Sequence, residues 1–534
     1  MFISSNCRLH ILPLAALLLL IALAARLHSQ PFSFGDQGDG AYLNPILPAD
    51  YSDIDAIRVG GDYYAISSTF QYSPGMVVLH SKDLVNWEII GHVVPDLNRI
   101  SPEMNWSRMN RAGTGIWAGA IRFHAGRFWV YFCTPDEGYF MTSAASPAGP
   151  WEPVVHFLSA PGWDDPAPFW DDDGQGYLLG THYAPDPADG IPYKIHLFKL
   201  TAGGKGILPG FDRVIHQSKG SEANKLYKWN GLYYHYFSEV HREGRVAMME
   251  RSASLSGPWE ERQLNHVNPR VDREPNQGGI LQTEKGDWWF LTHQGTGAWE
   301  GRALCLLPVT WKDGWPILGA VGADGIGSMV WKARKPIDGF PPAPRSFFDD
   351  FSDSNLKNQW EWNYQPRAEK WSLTGVPRRL RLQAFPPLQP GNLLGAGNTL
   401  TQRILNTGSG VITVKLDVSS MADGQAAGLC HFGGHYAWLG VTQAGNRRRI
   451  TYSANGEQTA GPPLPSTTVW LRSIVADKGE TTWAYSFDGS TFVPFGKRYK
   501  FEWAHYRGDR VGIFTYNDRA DAGAVDVDWF RYDD

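Results

Sequence analysis

Cysteine is scarce: the 534-residue chain has four, and Cys7 precedes the apolar stretch near the N-terminus. The other three, Cys133, Cys305 and Cys430, are odd in number, widely spaced and free of any Cys-x-x-Cys pattern. Neither a disulfide framework nor a zinc site is indicated, and buried free thiols are expected. Charge of either sign is also in short supply. With 49 Lys+Arg against 54 Asp+Glu the net charge is -5, which excludes the basic footprint of a nucleic-acid binder. A membrane-spanning run is missing as well, because the apolar stretch at residues 11–25 holds 15 residues where a span needs roughly 20. Behind residues 1–8 and ahead of small residues, it reads as a signal peptide over residues 1–29. The expected product is secreted or periplasmic, without a membrane partner after cleavage. No cysteine follows the run to carry a lipid. Helical periodicity is nearly absent too, while 43% hydrophobic and 19% charged residues exclude a disordered chain.

What the chain has in excess is aromatic residues and glycine: 23 Trp, 22 Tyr, 26 Phe and 58 Gly. They are organised. A glycine followed by an apolar, aromatic-rich strand recurs five times, at Gly61 (GDYYAISSTF), Gly126 (GRFWVYF), Gly174 (GQGYLLG), Gly231 (GLYYHYF) and Gly286 (GDWWFLTH). The separations are 65, 48, 57 and 55 residues, a period typical of propellers and solenoids. Trp87, Trp151, Trp259 and Trp311 follow four of these glycines by 25 to 28 residues. Each repeat is therefore expected to be a hairpin within a sheet of about four strands, and five copies predict a five-bladed β-propeller. After the Pro-rich junction FPPAPRSFF the pattern changes to short alternating strands (GVITVKLDV, YAWLGVTQ, TTWAYSFDG), which predict a β-sandwich. The expected division is residues 30–343 and 344–534, and the fold class is all-β.

Register then selects candidate residues. Eight positions before Gly61 stands Asp53, and nine before the other four glycines stand Trp117, Asp165, Glu222 and Gln277. In equivalent blades these side chains converge on one end of the central channel. A single Asp at a strand start is ordinarily a turn residue, but three carboxylates in one register point to a tuned acid and base. Asp164 is an alternative to Asp165, and Asp55, on the same face of an extended strand as Asp53, is the rival base. Residues 171–173 read as a solvated hairpin turn, residues 447–449 as a solvated strand end, and His293 as a satisfied strand residue ahead of a channel ligand.

The segments NPILPADYSDIDAIRVGGDYYAISSTFQYSPG, HSKDLVNWEIIGHVV, GIWAGAIR, DDPAPFWDDDG, GSEANKLYKWNGLYYHYFSEV, NQGGILQTEKGDWWFLTHQ and GRALCLLPVTWKDGWP resemble, in order, glycoside hydrolase family 43. From FFDDFSDSNLKNQWEWNYQP onward the chain resembles the concanavalin-like sandwich of many β-xylosidase and α-L-arabinofuranosidase members. The resemblance implies hydrolysis with inversion, Asp53 as general base, Asp165 as the acid that tunes and orients, and Glu222 as general acid. It also implies that Arg302 contacts glycone hydroxyls and that Phe70 and Trp117 wall the innermost sugar site. Departures are Ser52-Asp53-Ile54 where the family has Pro-Asp-Pro, and Gln277 where some relatives have His. No cofactor or metal is required; a calcium ion in the channel is allowed but not indicated. The implied substrate is plant cell-wall polysaccharide or oligosaccharide, attacked at terminal arabinofuranose or xylose. Endo-arabinanase, exo-galactanase and a non-catalytic sugar-binding propeller are the alternatives. For the sandwich the choices are a carbohydrate-binding module or a partner that packs on the propeller and lends a lid loop, which the resemblance favours.

Overall fold

The Gly-aromatic repeats are hairpins. In the computed structural model of the protein, which describes residues 34–534 except 185–189, 270–273, 295–298 and 477, every repeat glycine lies between the first two strands of an antiparallel sheet. Gly126, Gly174, Gly231 and Gly286 have φ between +74° and +91°, the left-handed region that glycine enters freely, the first and third in two-residue turns and the other two in five-residue loops. The leader expected at residues 1–29 lies outside the described residues. Among those residues helix is confined to four three-residue 3-10 turns.

Five such sheets follow one another in chain order. Their first strands are Asp55–Val59, Gly119–His124, Trp163–Trp170, Ser221–Trp229 and Gly278–Gln282. Every sheet continues through three further antiparallel strands. Apolar alternation buries one face of each against the next. Ile66 and Val78 of the first sheet pack with Ile121 and Phe132 of the second, Tyr131 and Tyr139 of the second with Leu178 and Phe198 of the third. Leu179 and Leu197 of the third meet Phe237 and Met248 of the fourth, and Tyr236 and Met249 of the fourth meet Phe290 and Leu307 of the fifth. Leu291 and Leu306 of the fifth then return to Tyr63 and Leu79 of the first. The cores thus close into a ring, the β-propeller expected from the repeat. Strand Ala41–Leu43 pairs with Lys332–Arg334, and Leu47 bridges Leu304 of the fifth sheet, which ties the ends together.

The C-terminal part is the expected sandwich of two large antiparallel sheets, with Val414, Leu471, Val527 and Phe530 among the residues of its core. Cys133, Cys305 and Cys430 are buried and form no disulfide. The propeller and sandwich are joined by backbone. Tyr72–Ser73, just past Phe70, forms an antiparallel pair with Glu361–Asn363 at the edge of a sandwich sheet, Ser73 facing Trp362 and Tyr72 facing Asn363. Trp299 of the propeller lies in the sandwich core beside Phe501. Residues 34–534 accordingly form one compact unit.

A buried ion cluster sits at this junction. The fully buried Glu361 carboxylate binds Arg403 Nη1 at 2.9 Å, Arg510 Nη1 at 2.6 Å and His92 Nε2 at 3.1 Å. Burial opposes its charge, but the two guanidinium groups and His92 outweigh that and hold its carboxyl far below the usual carboxylate range. Arg403 also donates from Nε to the Asp50 carbonyl at 2.6 Å, so the cluster grips the segment that leads into Asp53.

Candidate active site

The innermost strands deliver the register residues to one place. Asp53, Trp117, Asp165, Glu222 and Gln277, with Phe70 and Arg302, line a single cavity of about 1470 Å³. All seven candidates are therefore neighbours of the same space. The carboxylates do not simply extend from regular strands. Asp53 has φ +56°, Asp165 +51° and Ala223, next to Glu222, +72°. Ladder register shifts between Asp164 and Ala167 and between Glu222 and Lys225. Such bulges re-aim side chains at the price of backbone strain, a combination that concentrates at functional sites.

Asp53 is 7% exposed and is held from three directions. Its Oδ1 accepts from Arg302 Nη1 at 2.8 Å, its Oδ2 from Ser68 Oγ at 2.6 Å, and its N–H donates to His293 Nδ1 at 2.6 Å. His293 is fully buried in a strand. Because its Nδ1 accepts, the ring proton belongs on Nε2, which lies 3.2 Å from Glu274 Oε2. Glycine at position 301 permits this packing: its φ is +84°, and a Cβ there would collide with the Asp50 side chain. Asp55 is not a rival. It is fully buried, accepting from Ile121 N–H at 2.9 Å and Arg122 Nη1 at 2.7 Å, and it is absent from the cavity lining. Asp53 lies off the strand in a left-handed conformation, so alternation does not relate the two faces.

Asp165 accepts from Ala223 N–H and from Gln277 Nε2. Burial, and after it the charge of Glu222, push its carboxyl up to about 6. Asp164 stays at the cavity wall, accepting from the Cys133 thiol at 2.9 Å and from Asp165 N–H at 2.8 Å. Burial and the neighbouring Asp165 and Glu222 charges raise its carboxyl well above the ordinary range. Glu222 Oε1 accepts from Asn276 Nδ2 at 2.8 Å and lies 3.4 Å from Arg245 Nη2. Gln277 is committed to the protein: while Nε2 serves Asp165, its Oε1 accepts from Lys225 Nζ at 3.1 Å. Phe70 exchanges backbone hydrogen bonds with Ile116, an approach that depends on glycine at 115, where a Cβ would strike the Phe70 carbonyl. The Trp117 indole N–H donates to Gly113 O.

The sandwich completes the wall. Trp503, His505 and Tyr506 line the same cavity. His505 and Tyr506 have φ +54° and +64° between Ala504 and Arg507, which bond each other's backbones at 3.0 and 3.1 Å, so the tip is a tight primed-type turn. Tyr506 meets Trp117 edge to face at 6.0 Å between ring centroids, and the Arg302 guanidinium lies 5.7 Å from the Trp503 ring centroid. Of the two roles expected for the sandwich, the packing partner that lends a loop is present. Tyr506 is 53% exposed, so Tyr506→Ala is expected to leave stability unchanged. It should raise KM for small glycosides about 3- to 10-fold, the ~0.5–1.5 kcal/mol of an aromatic contact. Steady-state kinetics beside a thermal melt checks this.

Ser68, Lys225, Arg245, Glu274 and Asn276 were not singled out in the sequence. Asn276 alone had a signal there, its place next to Gln277. As for metals, among the described residues one group, His216, Glu250 and Glu261, brings three ligand-type atoms within 4.8 Å of one another. Burial opposes charge on His216, yet hydrogen bonds to Glu239 and Glu250 at 2.8 and 2.9 Å raise it to about 9. Its Nδ1 is taken by Glu250 and its Nε2 by Glu239.

The chain belongs to glycosyl hydrolases family 43, whose model its sequence matches over residues 42–316, and residues 348–533 match the beta xylosidase C-terminal concanavalin A-like domain. It is a glycoside hydrolase. Among curated relatives, a beta-xylosidase of Formosa agariphila is 36% identical, with 95% of this chain and 92% of the relative covered. A non-reducing end alpha-L-arabinofuranosidase of Bacteroides ovatus is 29% identical, covering 92% of this chain and 94% of its own. Of solved structures, a GH43 protein from Bacillus licheniformis aligns with TM-score 0.78 at 27% identity, covering 92% of this chain and 99% of that one.

Proposed function

We propose that the protein is an exo-acting glycosidase that removes terminal α-L-arabinofuranosyl or β-D-xylosyl residues from plant polysaccharide or its fragments by single-step inversion. The observation that carries this reading is the convergence of Asp53, Asp165 and Glu222, from three different sheets, on one cavity. Asp53, held by Arg302 and Ser68, activates the water as general base. Glu222 supplies the proton to the leaving oxygen, and Asp165 orients it. Inversion places the base and the acid about 6.5 to 9.5 Å apart, with water between the base and the sugar. Arg302, reaching Asp53 from the cavity wall, binds the glycone hydroxyls, with Phe70 and Trp117 against its apolar face. A cavity walled on one side by the sandwich turn suits a chain end, and the relatives named for xyloside and arabinofuranoside hydrolysis support a pentose. Each of the five sheets is read as one blade. Export after removal of residues 1–29, and domains at residues 30–343 and 344–534, belong to the same proposal.

The test pairs nitrophenyl α-L-arabinofuranoside with nitrophenyl β-D-xyloside, followed by arabinan and xylo-oligosaccharides. Proton NMR during the first turnovers reads the anomer released. A product of inverted configuration, released singly from chain ends, is expected; net retention or internal cleavage would remove the mechanism or the exo reading.

A further inference from the structure

Lys225 is the buried cation beneath the cavity. Only 1% exposed, it lies on the same strand as Glu222, Ser221–Trp229, just past the register shift that follows Glu222. It is not a surface ion-pair partner turned inward by chance, because its ammonium is threaded into a relay. Lys225 Nζ donates to Gln277 Oε1 at 3.1 Å, Gln277 Nε2 donates to Asp165 Oδ1, and Thr292 Oγ1 donates to the Gln277 carbonyl. The charged groups that act on it come from every neighbouring first strand or its approach: Asp55, Asp165 and Asp53 favour its charge, Arg122 opposes it, and burial pulls its pKa below the usual lysine value. Asp55 Oδ1, itself buried, has no hydrogen-bond partner in the protein, and the ammonium joins Arg122 on Asp55 and Arg302 on Asp53 in balancing the acids there.

We infer that Lys225 is a positioning residue for the reaction: acting through Gln277, it fixes the amide orientation that Asp165 requires and keeps Asp165 ionised next to Glu222. The inference rests on the roles proposed for Asp165 and Glu222. An amide between an ammonium and a carboxylate has one sensible orientation, oxygen to lysine and nitrogen to aspartate. Without the ammonium that orientation loses its anchor, and a buried Asp165 gains a proton more readily. A protonated Asp165 no longer opposes ionisation of Glu222, so the proton needed by the leaving group is held less well.

The experiment measures Lys225→Met and Lys225→Gln over pH 4 to 9, on a nitrophenyl glycoside and on an oligosaccharide with a poor leaving group. Lys225→Gln keeps a polar donor and serves where Lys225→Met does not fold. Expected are a fall in kcat on the oligosaccharide by about 10- to 100-fold, within the range of a general-acid contribution, and a smaller loss on the activated glycoside. KM should change little, and the acid limb of kcat/KM should move to higher pH by about one unit, since removing a cation raises neighbouring carboxylates. A purely structural role would scale activity without moving the limb. An unmoved limb with equal loss on both substrates, or a KM effect alone, overturns the proposal. Asp165→Asn and Glu222→Ala run in parallel separate the two failures. If they too retain full activity, the reading of the site has failed; if they lose activity while the Lys225 variants do not, only the lysine relay has failed.

Discussion

Glu222→Ala is expected to lower kcat/KM on xylo- or arabino-oligosaccharides on the order of 10³- to 10⁴-fold, the upper part of what a positioned proton donor contributes. On a dinitrophenyl glycoside, whose leaving group departs without protonation, the loss should be far smaller. Asp53→Ala is expected to show the opposite signature, a comparable loss on both substrates, because no leaving group substitutes for activation of water. In that variant azide can stand in for water: it attacks the anomeric carbon, the leaving oxygen takes its proton from Glu222, and a glycosyl azide of inverted configuration forms. The contrast is sharp because the two carboxylates are held so differently. Asp53 is fixed by an Arg302 ion pair at 2.8 Å and a Ser68 hydrogen bond, whereas Glu222 has an amide at 2.8 Å and its arginine only at 3.4 Å. Equal losses on both substrates for Glu222→Ala would remove it as the acid.

Glu361→Ala is expected to destabilise the protein by about 3–5 kcal/mol, the usual consequence of leaving buried partners of an ion pair without their counter-charge. Arg403 and Arg510 are 7% and 1% exposed and would face each other with His92 across an empty site. For comparison, Arg498→Ala breaks an ion pair to Glu480 whose arginine side chain is 72% exposed, and a change under about 1 kcal/mol is expected. Chemical denaturation of the three proteins measures this. Activity of Glu361→Ala should fall as well, since Arg403 is bonded to the Asp50 carbonyl, three residues from Asp53.

These sites were legible to different degrees, for identifiable reasons. The repeat glycines marked the hairpins because tight turns, of two residues or five, require positive φ values that glycine adopts freely. Counting back from them reached Asp53, Trp117, Asp165, Glu222 and Gln277, since each stands at or beside the start of a first strand, on the same cavity. Counting failed where the backbone leaves the pleat. Asp55 was paired with Asp53 by alternation, but Asp53 sits in a left-handed conformation outside the strand. Lys225 was invisible for a related reason: the irregular ladder after Glu222 breaks the alternation that would have placed it. Ser68 stands within the first repeat, but nothing in the repeat pattern singles out its hydroxyl as a partner of Asp53, and Glu274 reaches His293 from outside any repeat. The Glu361 cluster joins residues 42 to 269 positions apart, and periodicity carries no information about such pairs.

The short ladder between Tyr72–Ser73 and Glu361–Asn363 has a colloidal consequence. A sheet edge with bare amide and carbonyl groups is a template for association with other chains. In the intact protein the propeller occupies that edge, and it does so with the segment that follows the Phe70 wall. A sandwich cut away from its propeller would bare the Glu361–Asn363 strand and the hydrophobic bed of Trp299 together. The fragment is then exposed to self-association. The propeller, through one two-residue strand, serves the sandwich as a solubility cap.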